Sequence, residues 1–424
     1  MKGWKTVQIG CVADIFDGPH ATPNIVDSGA IFLGIDALDQ GRINLKKTRC
    51  VTPEDYKKWT RRVTPQQGDV VFSYETRLGE AALIPEGLKC CLGRRMGLIR
   101  AKQPVLDPKF FLYYYLSPTF QEVIRLKTIL GATVNRISIK EFPTFPVLLP
   151  PLEEQQSIAH ILGTLDDKIE LNRRQNATLE AMAQAIFKDW FVDFGPVHAK
   201  MEGRQPEGIS REIADLFPDR LDDEGKPEGW ERKKLGDLIT FYSERIKSDK
   251  LTESNYVSTE NMLSDKKGIT KASSLPTTDS VPAFCTGHIL VSNIRPYFKK
   301  IWFATFDGGR SNDVLDFCPL IVGTNYFIFN ILICDAFFDF MMQTAKGSKM
   351  PRGDKNAIMA YSVVAPTEVL QRAYSSLVEV YYKKINNNVL KNEVLTSLRD
   401  TLLPKLISGE LRVPDAEKMV ADIV

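Results

Sequence analysis

The chain has 424 residues, of which 43% are hydrophobic and 25% charged, with 55 Lys+Arg against 53 Asp+Glu. This length predicts two to four domains, and the composition excludes a disordered, collagen-like or low-complexity chain. The N-terminus lacks the apolar core of a signal peptide, and the most apolar stretch, 326–342, is interrupted by Asn330, Asp335 and Asp339, so we expect no membrane span. The seven cysteines include no C-x-x-C pair, which indicates reduced thiols in a cytoplasmic protein.

The charge is distributed unevenly along the chain, although it adds up to only +2. Residues 1–150 carry 21 Lys+Arg against 14 Asp+Glu, and residues 230–366 carry 17 against 14. Residues 151–229, between them, carry 9 against 17. Two basic blocks therefore flank an acidic one, and this pattern points to two regions that meet an anionic partner.

Residues 1–150 predict a domain of mixed strand and helix. A β-rich run at 69–74 lies between Gly and Pro residues, and a helix is expected around 108–128. Pro150 then precedes a long helical pattern over 151–195, since a proline at the entry of a helix costs no hydrogen bond.

The helix over 151–195 has its apolar residues spaced alternately three and four apart, which is the pattern of a coiled-coil seam. Its seam holds Leu162, Leu165, Ile169, Asn172, Asn176 and Leu179. The acidic stretch that follows, 196–229, reads as a linker or a small docking segment.

Residues 230–424 repeat the first part of the chain. Gly131, Pro150 and Gln155 recur 216 residues later, and GHILVS at 287–292 resembles GDVVFS at 68–73. We therefore predict a second mixed domain over 230–366, with a helix near 326–345, and a second long helix with a C-terminal tail over 367–424.

The second helix carries the seam residues Ile385, Asn388, Asn392 and Leu395. An antiparallel pairing places Asn172 opposite Asn392 and Asn176 opposite Asn388, and it leaves only Leu165 opposite Arg399 poorly matched. A parallel pairing also matches Asn to Asn, and ordinary bundle helices are the plainer alternative. The duplication favours the antiparallel pair. We predict an α+β fold with two mixed α/β domains separated by this coiled coil, related by an internal pseudo-two-fold repeat.

Motifs of catalytic sites are missing from the sequence. There is no phosphate-binding G-x-x-x-x-G-K-[ST] loop and no G-x-G-x-x-G after a strand. The four histidines lie far apart, without the spacing of metal ligands. We predict a binding protein with no catalytic or metal site and no cofactor of its own.

The basic segment 41–62 has the composition of a phosphate-binding surface, because it interleaves basic residues with Tyr56 and Trp59. Its candidate phosphate contacts are Arg42, Lys46, Lys47, Arg49, Lys57, Lys58, Arg61 and Arg62. A solvated basic surface is the alternative interpretation.

Reading a DNA sequence requires side chains on loops that reach base edges. In the first half the candidates are Tyr74, Arg77, Arg94, Arg95, Thr133, Asn135 and Arg136. Their counterparts in the second half are Asn293, Arg295, Lys349 and Arg352. Each alone is more typical of a surface residue, but two repeat-related groups favour recognition.

The segment LLPPLEEQQSIAHILGTLDDKIELNRRQNATLEAMAQAIFKDWF, at 148–191, resembles the central conserved region of specificity subunits of type I restriction–modification enzymes. The W-x-x-x-x-[IL]-G opening of each half, the GDVVFS run and the closing LRDTLLPKLISGELRV are also similar to that family. The second conserved region departs more, with EVLQRAYSSL where the first has EEQQSIAHIL.

The resemblance implies a division of labour. Residues 1–150 and 230–366 would be target recognition domains, each reading one half of a bipartite site in double-stranded DNA, with the two helices as a ruler. Two methyltransferase subunits would dock and carry S-adenosylmethionine for adenine-N6 methylation, and two motor-nuclease subunits would add ATP- and magnesium-dependent cleavage. Two other classes stay open: a fused methyltransferase or nuclease, and a scaffold for proteins or RNA.

Overall fold

The computed structural model describes residues 3–20, 22–131 and 133–421. The chain divides into two compact units, the first formed by Met1–Asn172 with Leu390–Val424 and the second by Arg173–Val389. Each unit thus holds one mixed domain together with a segment of both long helices. The domain boundaries at 150, 195, 229 and 366 stay a prediction.

The first unit contains two four-stranded sheets, in the orders β2-β11-β8-β9 and β10-β4-β7-β3. Two further strand pairs, β1 with β12 and β5 with β6, complete it. Its strands are Lys5–Gln8 (β1), Ala13–Asp17 (β2), Ile25–Val26 (β3), Ala30–Leu33 (β4), Leu38–Asp39 (β5), Arg42–Ile43 (β6), Arg49–Val51 (β7), Val70–Ser73 (β8), Ala81–Leu83 (β9), Cys90–Leu92 (β10), Met96–Ala101 (β11) and Pro146–Leu149 (β12).

Strand β8, in the predicted run at 69–74, is buried along its whole length. It pairs with β11, where Val71 lies opposite Leu98. Pairing of β1 with β12 brings the start and the end of the domain together, with Lys5 opposite Leu149. The ends of the domain therefore meet where the long helix begins.

The helices of the first unit are Ile9–Val12 (α1), Pro53–Trp59 (α2), Pro108–Leu116 (α3), Pro118–Lys127 (α4) and the start of Leu152–Phe191 (α5). The single helix predicted around 108–128 is wrong in one respect, because it is broken at Ser117. That residue has an extended backbone, its Oγ accepts from the Phe120 N–H at 3.4 Å, and Pro118 starts the second helix.

The second unit has the same organisation, with sheets β14-β21-β18-β19 and β15-β17-β20-β16 and the closing pair β13 with β22. Its strands are Glu231–Lys234 (β13), Ile239–Phe241 (β14), Arg245–Lys247 (β15), Tyr256–Val257 (β16), Ser280–Phe284 (β17), Ile289–Ser292 (β18), Ile301–Phe303 (β19), Gly308–Arg310 (β20), Val314–Pro319 (β21) and Ser362–Ala365 (β22).

Of the remaining helices, only the first two lie within or at the edge of the stretch predicted as an acidic linker. These remaining helices are Gly195–Met201 (α6), Arg211–Ala214 (α7), Asn325–Leu332 (α8), Asp335–Gln343 (α9), Lys355–Met359 (α10), Glu368–Ser408 (α11) and Val413–Ala421 (α12). Helices α8 and α9 replace the single helix predicted at 326–345, because the chain turns at Cys334. No single helix among the described residues is long and apolar enough to span a membrane; by length and composition only α8 with α9 passes, as a pair bent by 59°.

The acidic stretch 196–229 packs onto the second unit. Phe217 is buried, and its ring meets Trp190 with centroids 5.2 Å apart in an edge-on contact. The Lys200 ammonium donates to the Ala214 carbonyl at 3.2 Å, which ties α6 to α7. This stretch is therefore a folded part of the core, not a loose connection.

Helices α5 and α11 pair antiparallel in each unit, as predicted. In the first unit Asn172 Nδ2 donates to Asn392 Oδ1 at 2.8 Å. In the second unit Asn388 Nδ2 donates to Asn176 Oδ1 at 2.8 Å. The other predicted seam residues are buried or partly buried: Leu162, Leu165, Ile169, Leu179, Ile385 and Leu395.

The mismatch expected between Leu165 and Arg399 is resolved by an ion pair. Arg399 Nη1 lies 2.8 Å from Asp166 Oδ1, so the guanidinium leaves the apolar seam beside Leu165. The other carboxylate oxygen of Asp166 accepts from the Tyr113 hydroxyl at 2.8 Å. This network fastens α3 to both long helices within the first unit.

Candidate nucleic-acid interface

Three loops of the first unit come together at the end of β8. The Tyr74 N–H donates to the Arg95 carbonyl at 3.2 Å, and the Thr76 N–H donates to the Asn135 carbonyl at 3.3 Å. The Ile137 N–H closes the arrangement on the Tyr74 carbonyl at 2.8 Å. We call these three loops the first loop cluster; it comprises residues 74–77, 93–95 and 129–138, apart from Ala132, which lies outside the described residues.

The second unit builds the same arrangement at the end of β18. The Asn293 N–H donates to the Asp313 carbonyl at 2.8 Å, and the Arg295 N–H donates to the Pro351 carbonyl at 2.8 Å. The Gly353 N–H donates to the Asn293 carbonyl at 3.2 Å. These bonds match those of the first unit one by one, and we call 293–296, 311–313 and 345–354 the second loop cluster.

A hydrogen bond from a serine side chain shapes the turn after the strand in both clusters. Ser73 Oγ donates to the Glu75 carbonyl at 2.6 Å, and Ser292 Oγ donates to the Ile294 carbonyl at 3.2 Å. The next residue, Thr76 or Arg295, adopts a left-handed backbone with φ of 67° or 50°. Such conformations in non-glycine residues are costly, and they concentrate at functional sites.

The first loop cluster presents several predicted base contacts to solvent. Arg94, Thr133, Asn135 and Arg136 are exposed. Arg95 Nε lies 2.8 Å from Glu75 Oε2. This ion pair orients the guanidinium at the surface of the cluster.

Arg77 is held by its own loop. Its Nη1 donates to the Ile35 carbonyl at 3.0 Å, and its Nη2 donates to Glu80 Oε1 at 3.0 Å. The side chain is only partly exposed. Arg77 thus spans two loops of the first unit, and its donors are largely occupied.

The second loop cluster also presents cations, among them Lys346, which pairs with Asp354. Lys349 and Arg352 are exposed, and Arg352 Nη2 lies 3.1 Å from Asp313 Oδ1. Arg295 is partly buried, and its Nε has no hydrogen-bond partner. This Nε atom is itself buried, so it does not face solvent.

Two predicted contacts lie inside the protein and are corrected here. Tyr74 is only 5% exposed and belongs to the aromatic core of the first unit, where burial raises the pKa of its hydroxyl. Asn293 is only 8% exposed. Both side chains point inward from the buried strand that precedes them, so they position the loops and do not contact a ligand directly.

Most of the basic segment 41–62 is exposed, but Arg42 is not directed outward. Arg42 Nη2 donates to the Asp166 carbonyl at 2.6 Å, and Nη1 lies 3.6 Å from Glu170. Arg42 therefore fastens the domain to α5. The exposed cations are Lys46, Lys47, Arg49, Lys57, Lys58, Arg61 and Arg62.

Local caps hold these cations in place. The Thr52 hydroxyl accepts from the Asp55 N–H at 3.1 Å at the start of α2, which carries Lys57 and Lys58 in its last turn. The Lys58 ammonium lies 5.1 Å from the centre of the Trp59 ring. The interleaved aromatic residue thus steadies a lysine beside it.

Sequence reasoning missed two exposed aromatic residues, Tyr297 and Phe298, which follow Arg295 after the intervening Pro296. It also missed Leu130, whose exposed side chain lies in the first loop cluster beside Asn135. The available signal was the position of these apolar residues within loops otherwise rich in polar residues.

Comparison with known proteins gives a consistent family. The model of the type I restriction modification DNA specificity domain matches residues 1–181. The chain is 26% identical over 392 residues to the type I restriction enzyme MjaIX specificity subunit of Methanocaldococcus jannaschii, covering 87% of this chain and 83% of that protein. It is 23% identical over 407 residues to the HindI specificity subunit of Haemophilus influenzae, covering 82% and 87%.

A solved structure shares the fold. The S subunit of a type I restriction-modification system from M. genitalium superimposes with a TM-score of 0.55 at 16% sequence identity. The match covers 95% of this chain and 96% of that one. The two-domain organisation with a long helix pair is therefore that of a known fold.

Proposed function

We propose that this chain is a specificity subunit of a type I restriction–modification enzyme and that each of its loop clusters reads one half of a bipartite target in double-stranded DNA. The observation that carries this proposal is the pair of loop clusters, which share their backbone hydrogen bonds and differ in their exposed side chains. A common scaffold with different side chains is what two readers of different half-sites require.

The exposed side chains divide into two kinds of contact. The cations of α2 and the segment before it supply phosphate contacts, which give affinity without sequence preference. The polar residues of the loop clusters supply base contacts; they are Arg94, Arg95, Thr133, Asn135 and Arg136 in the first unit and Arg295, Lys349 and Arg352 in the second. Arg77, predicted with them, instead braces the loops of the first unit. Arg can bind guanine in the major groove with two hydrogen bonds, and Asn can bind adenine in the same way.

The long helices serve as the docking surface for two methyltransferase subunits. One face of α11 in the first unit supports this proposal; it comprises Glu393, Val394, Ser397, Leu398 and Thr401. Val394 is 52% exposed there, and an exposed apolar stripe on a long helix favours a helical partner.

Catalysis belongs to the other subunits in this proposal. The methyltransferase subunits carry S-adenosylmethionine, and the motor-nuclease subunits, where present, use ATP and magnesium. This chain determines which DNA sequence is bound and has no catalytic residue of its own.

The helices also set the gap between the half-sites. Helices α5 and α11 each run without interruption from one compact unit into the other. A helix rises about 1.5 Å per residue, so its length fixes a distance that can be matched to DNA. We propose that this distance determines how many base pairs are left unread.

The test is a reconstituted complex of this chain with its methyltransferase subunits. We expect it to methylate adenines only in a two-part sequence, mapped by sequencing of genomic DNA, and to shift duplexes that contain both halves. The chain incubated alone with S-adenosylmethionine is expected to methylate nothing. Methylation by the chain alone, or equal binding to duplex and unrelated RNA, would contradict the proposal.

A further inference from the structure

Two exposed aromatic side chains follow the second loop cluster directly, on the segment after Pro296. Tyr297 is 49% exposed and Phe298 is 37% exposed, and their ring centroids lie 4.6 Å apart. Both belong to the short 3₁₀ helix Pro296–Phe298, which directly follows Arg295. We call Tyr297 and Phe298 the aromatic tip.

The backbone that carries the aromatic tip is held in an unfavourable conformation at both ends. Arg295 before it and Lys299 after it have φ of 50° and 49°, in the left-handed region that non-glycine residues avoid. Pro296, at the base of the tip, is buried. A segment with this backbone is rigid only if its surroundings compensate for the cost.

A neighbouring loop supplies that compensation. The Asp265 N–H donates to the Phe298 carbonyl at 2.9 Å, and the Lys266 N–H donates to the Lys299 carbonyl at 2.9 Å. Asp265 and Lys266 are themselves left-handed, with φ of 57° and 62°. Four strained residues thus surround one exposed pair of rings.

An ion-pair clamp fastens the two loops to α9. The ammonium groups of Lys266 and Lys299 both lie 2.8 Å from Asp335 Oδ1. The two lysines hold the pKa of the Asp335 carboxyl at about 2, so the clamp is ionised at neutral pH. The tip is therefore presented in a fixed position.

We propose that the aromatic tip is a specificity-determining contact of the second unit, with its rings against the bases of the second half-site in duplex DNA. This inference rests on the proposed function. Rings exposed on a braced and strained frame are built for a partner, because folding alone gains nothing from exposing them. The tip lies two residues from Arg295, and the clamp beside it sets the two ammonium groups of Lys266 and Lys299 against one carboxylate. This net positive charge favours a polyanion over an apolar protein surface.

The chemistry of the contact is apolar and directed at bases. In an intact duplex the faces of the bases are stacked on one another, so the rings contact base edges, above all the thymine methyl group, and they neutralise no phosphate. Their removal should therefore weaken specific binding without changing the dependence of affinity on salt. Loss of a phosphate-binding lysine would instead reduce the salt slope by about one.

The experiment uses the full chain in complex with its methyltransferase subunits and a fluorescent duplex that carries the mapped target. We expect Tyr297→Ala with Phe298→Ala to bind this duplex about 10-fold more weakly, with affinity for unrelated duplex and the salt slope unchanged. Substituting each base pair of the target in turn should show relaxed preference in the second half-site only.

A matched control separates this effect from general loss of exposed apolar surface. Leu320 and Val322 are 54% and 89% exposed in another loop of the same unit. We expect Leu320→Ala with Val322→Ala to bind like the wild type. Equal melting temperatures of the variants show that the tip variant folds, and Tyr297→Phe, which keeps the ring, should retain wild-type affinity.

The outcomes distinguish this inference from the function beneath it. A tip variant with wild-type affinity and preference, while the wild-type complex binds its target specifically, would overturn the inference alone. Weaker capture of the methyltransferase subunits with unchanged DNA preference would overturn it also, in favour of a protein contact. A wild-type complex without any duplex preference would instead contradict the proposed function.

Discussion

The two loop clusters compare as one backbone design with two sets of side chains. Three hydrogen bonds hold Tyr74, Thr76 and Ile137 in the first, and three matching bonds hold the second. The first presents mainly arginine and amide groups around Leu130, whereas the second presents two lysines and an arginine and is followed directly by a pair of aromatic rings. The difference shows that the repeat preserves the frame of a reader and leaves its surface open to change.

The attachment of each domain to the long helices follows the same rule. In the first unit the Tyr113 hydroxyl on α3 donates to Asp166 on α5. In the second unit the Tyr382 hydroxyl on α11 donates to Asn330 Oδ1 on α8, at the corresponding positions of the repeat. The tyrosine lies on the domain helix in the first unit and on the long helix in the second. The contact therefore persists although neither position keeps its residue type.

The largest expected effect comes from shortening the two long helices that both recognition domains share. Removing 173–179 together with 385–391 keeps the pairing of Asn172 with Asn392 and shortens each helix by about 10 Å, which corresponds to about three base pairs. We expect a methylation map with a gap shorter by about three base pairs and both half-sites unchanged.

The control for this variant removes 173–179 alone, which shifts the seam residues of one helix against the other. We expect that variant to lose the complex with the methyltransferase subunits, since Asn388 loses its partner Asn176 and the rest of α5 is displaced by seven residues against α11. A paired deletion that methylates the original spacing would show that the helices do not set the gap.

The contacts that attach each domain to the long helices should differ in strength, because Asp166 is charged and Asn330 is not. Asp166→Ala leaves Arg399 without its interhelical partner and the Tyr113 hydroxyl unpaired, and we expect a loss of about 3 kcal/mol in the first unit. Tyr382→Phe removes one neutral hydrogen bond, for about 1 kcal/mol. Thermal melting of both variants measures the difference, and equal melting temperatures would refute it.

The asparagine layers offer a smaller test within one unit. Asn172→Leu alone leaves the Asn392 amide without its partner and should lower the melting temperature, at a cost of about 1–2 kcal/mol. Adding Asn392→Leu should restore stability or raise it above the wild type, because an apolar layer packs better than a polar one. A double variant less stable than the single one would mean that the two amides do not act as a pair.

The smallest effect concerns the ion-pair clamp of Lys266, Lys299 and Asp335 in the second unit. Because Lys266 and Lys299 lower the pKa of Asp335 to about 2, the clamp stabilises the fold above the ordinary carboxyl pKa of about 4 and loses this contribution as the pH falls toward 2. Asp335→Asn should melt at a slightly lower temperature at pH 7. The loss in the free energy of unfolding should be at most about 1 kcal/mol, because the pair is so exposed. Melting curves from pH 6 to pH 2 should converge, and a gap that widens in acid would contradict the assignment.

Much of this architecture could be predicted from the residues, because the repeat and the two polar layers impose strong conditions on helix pairing. The pairing of Asn172 with Asn392 follows from the spacing of polar seam positions. The breaks at Ser117 and Cys334 were missed, since an apolar run reads as continuous unless a capping residue is given weight.

The site was predicted less well, because residue type in a loop does not tell which way a side chain points. Tyr74 and Asn293 suit a binding loop in composition, yet both follow a strand buried along its whole length and turn into the core. Tyr297 and Phe298 suit a core and are exposed. Orientation depends on contacts between segments distant in the chain, which periodicity does not report.

The most direct test of two independent readers compares Arg136→Ala with Arg352→Ala, since these exposed arginines occupy the same position of the repeat. Each variant is combined with the methyltransferase subunits, and the methylated adenines of genomic DNA are mapped. The account predicts that Arg136→Ala relaxes one half of the target and Arg352→Ala the other, with the gap unchanged. Relaxation of the same half by both variants, or uniform loss over the whole site, would contradict it.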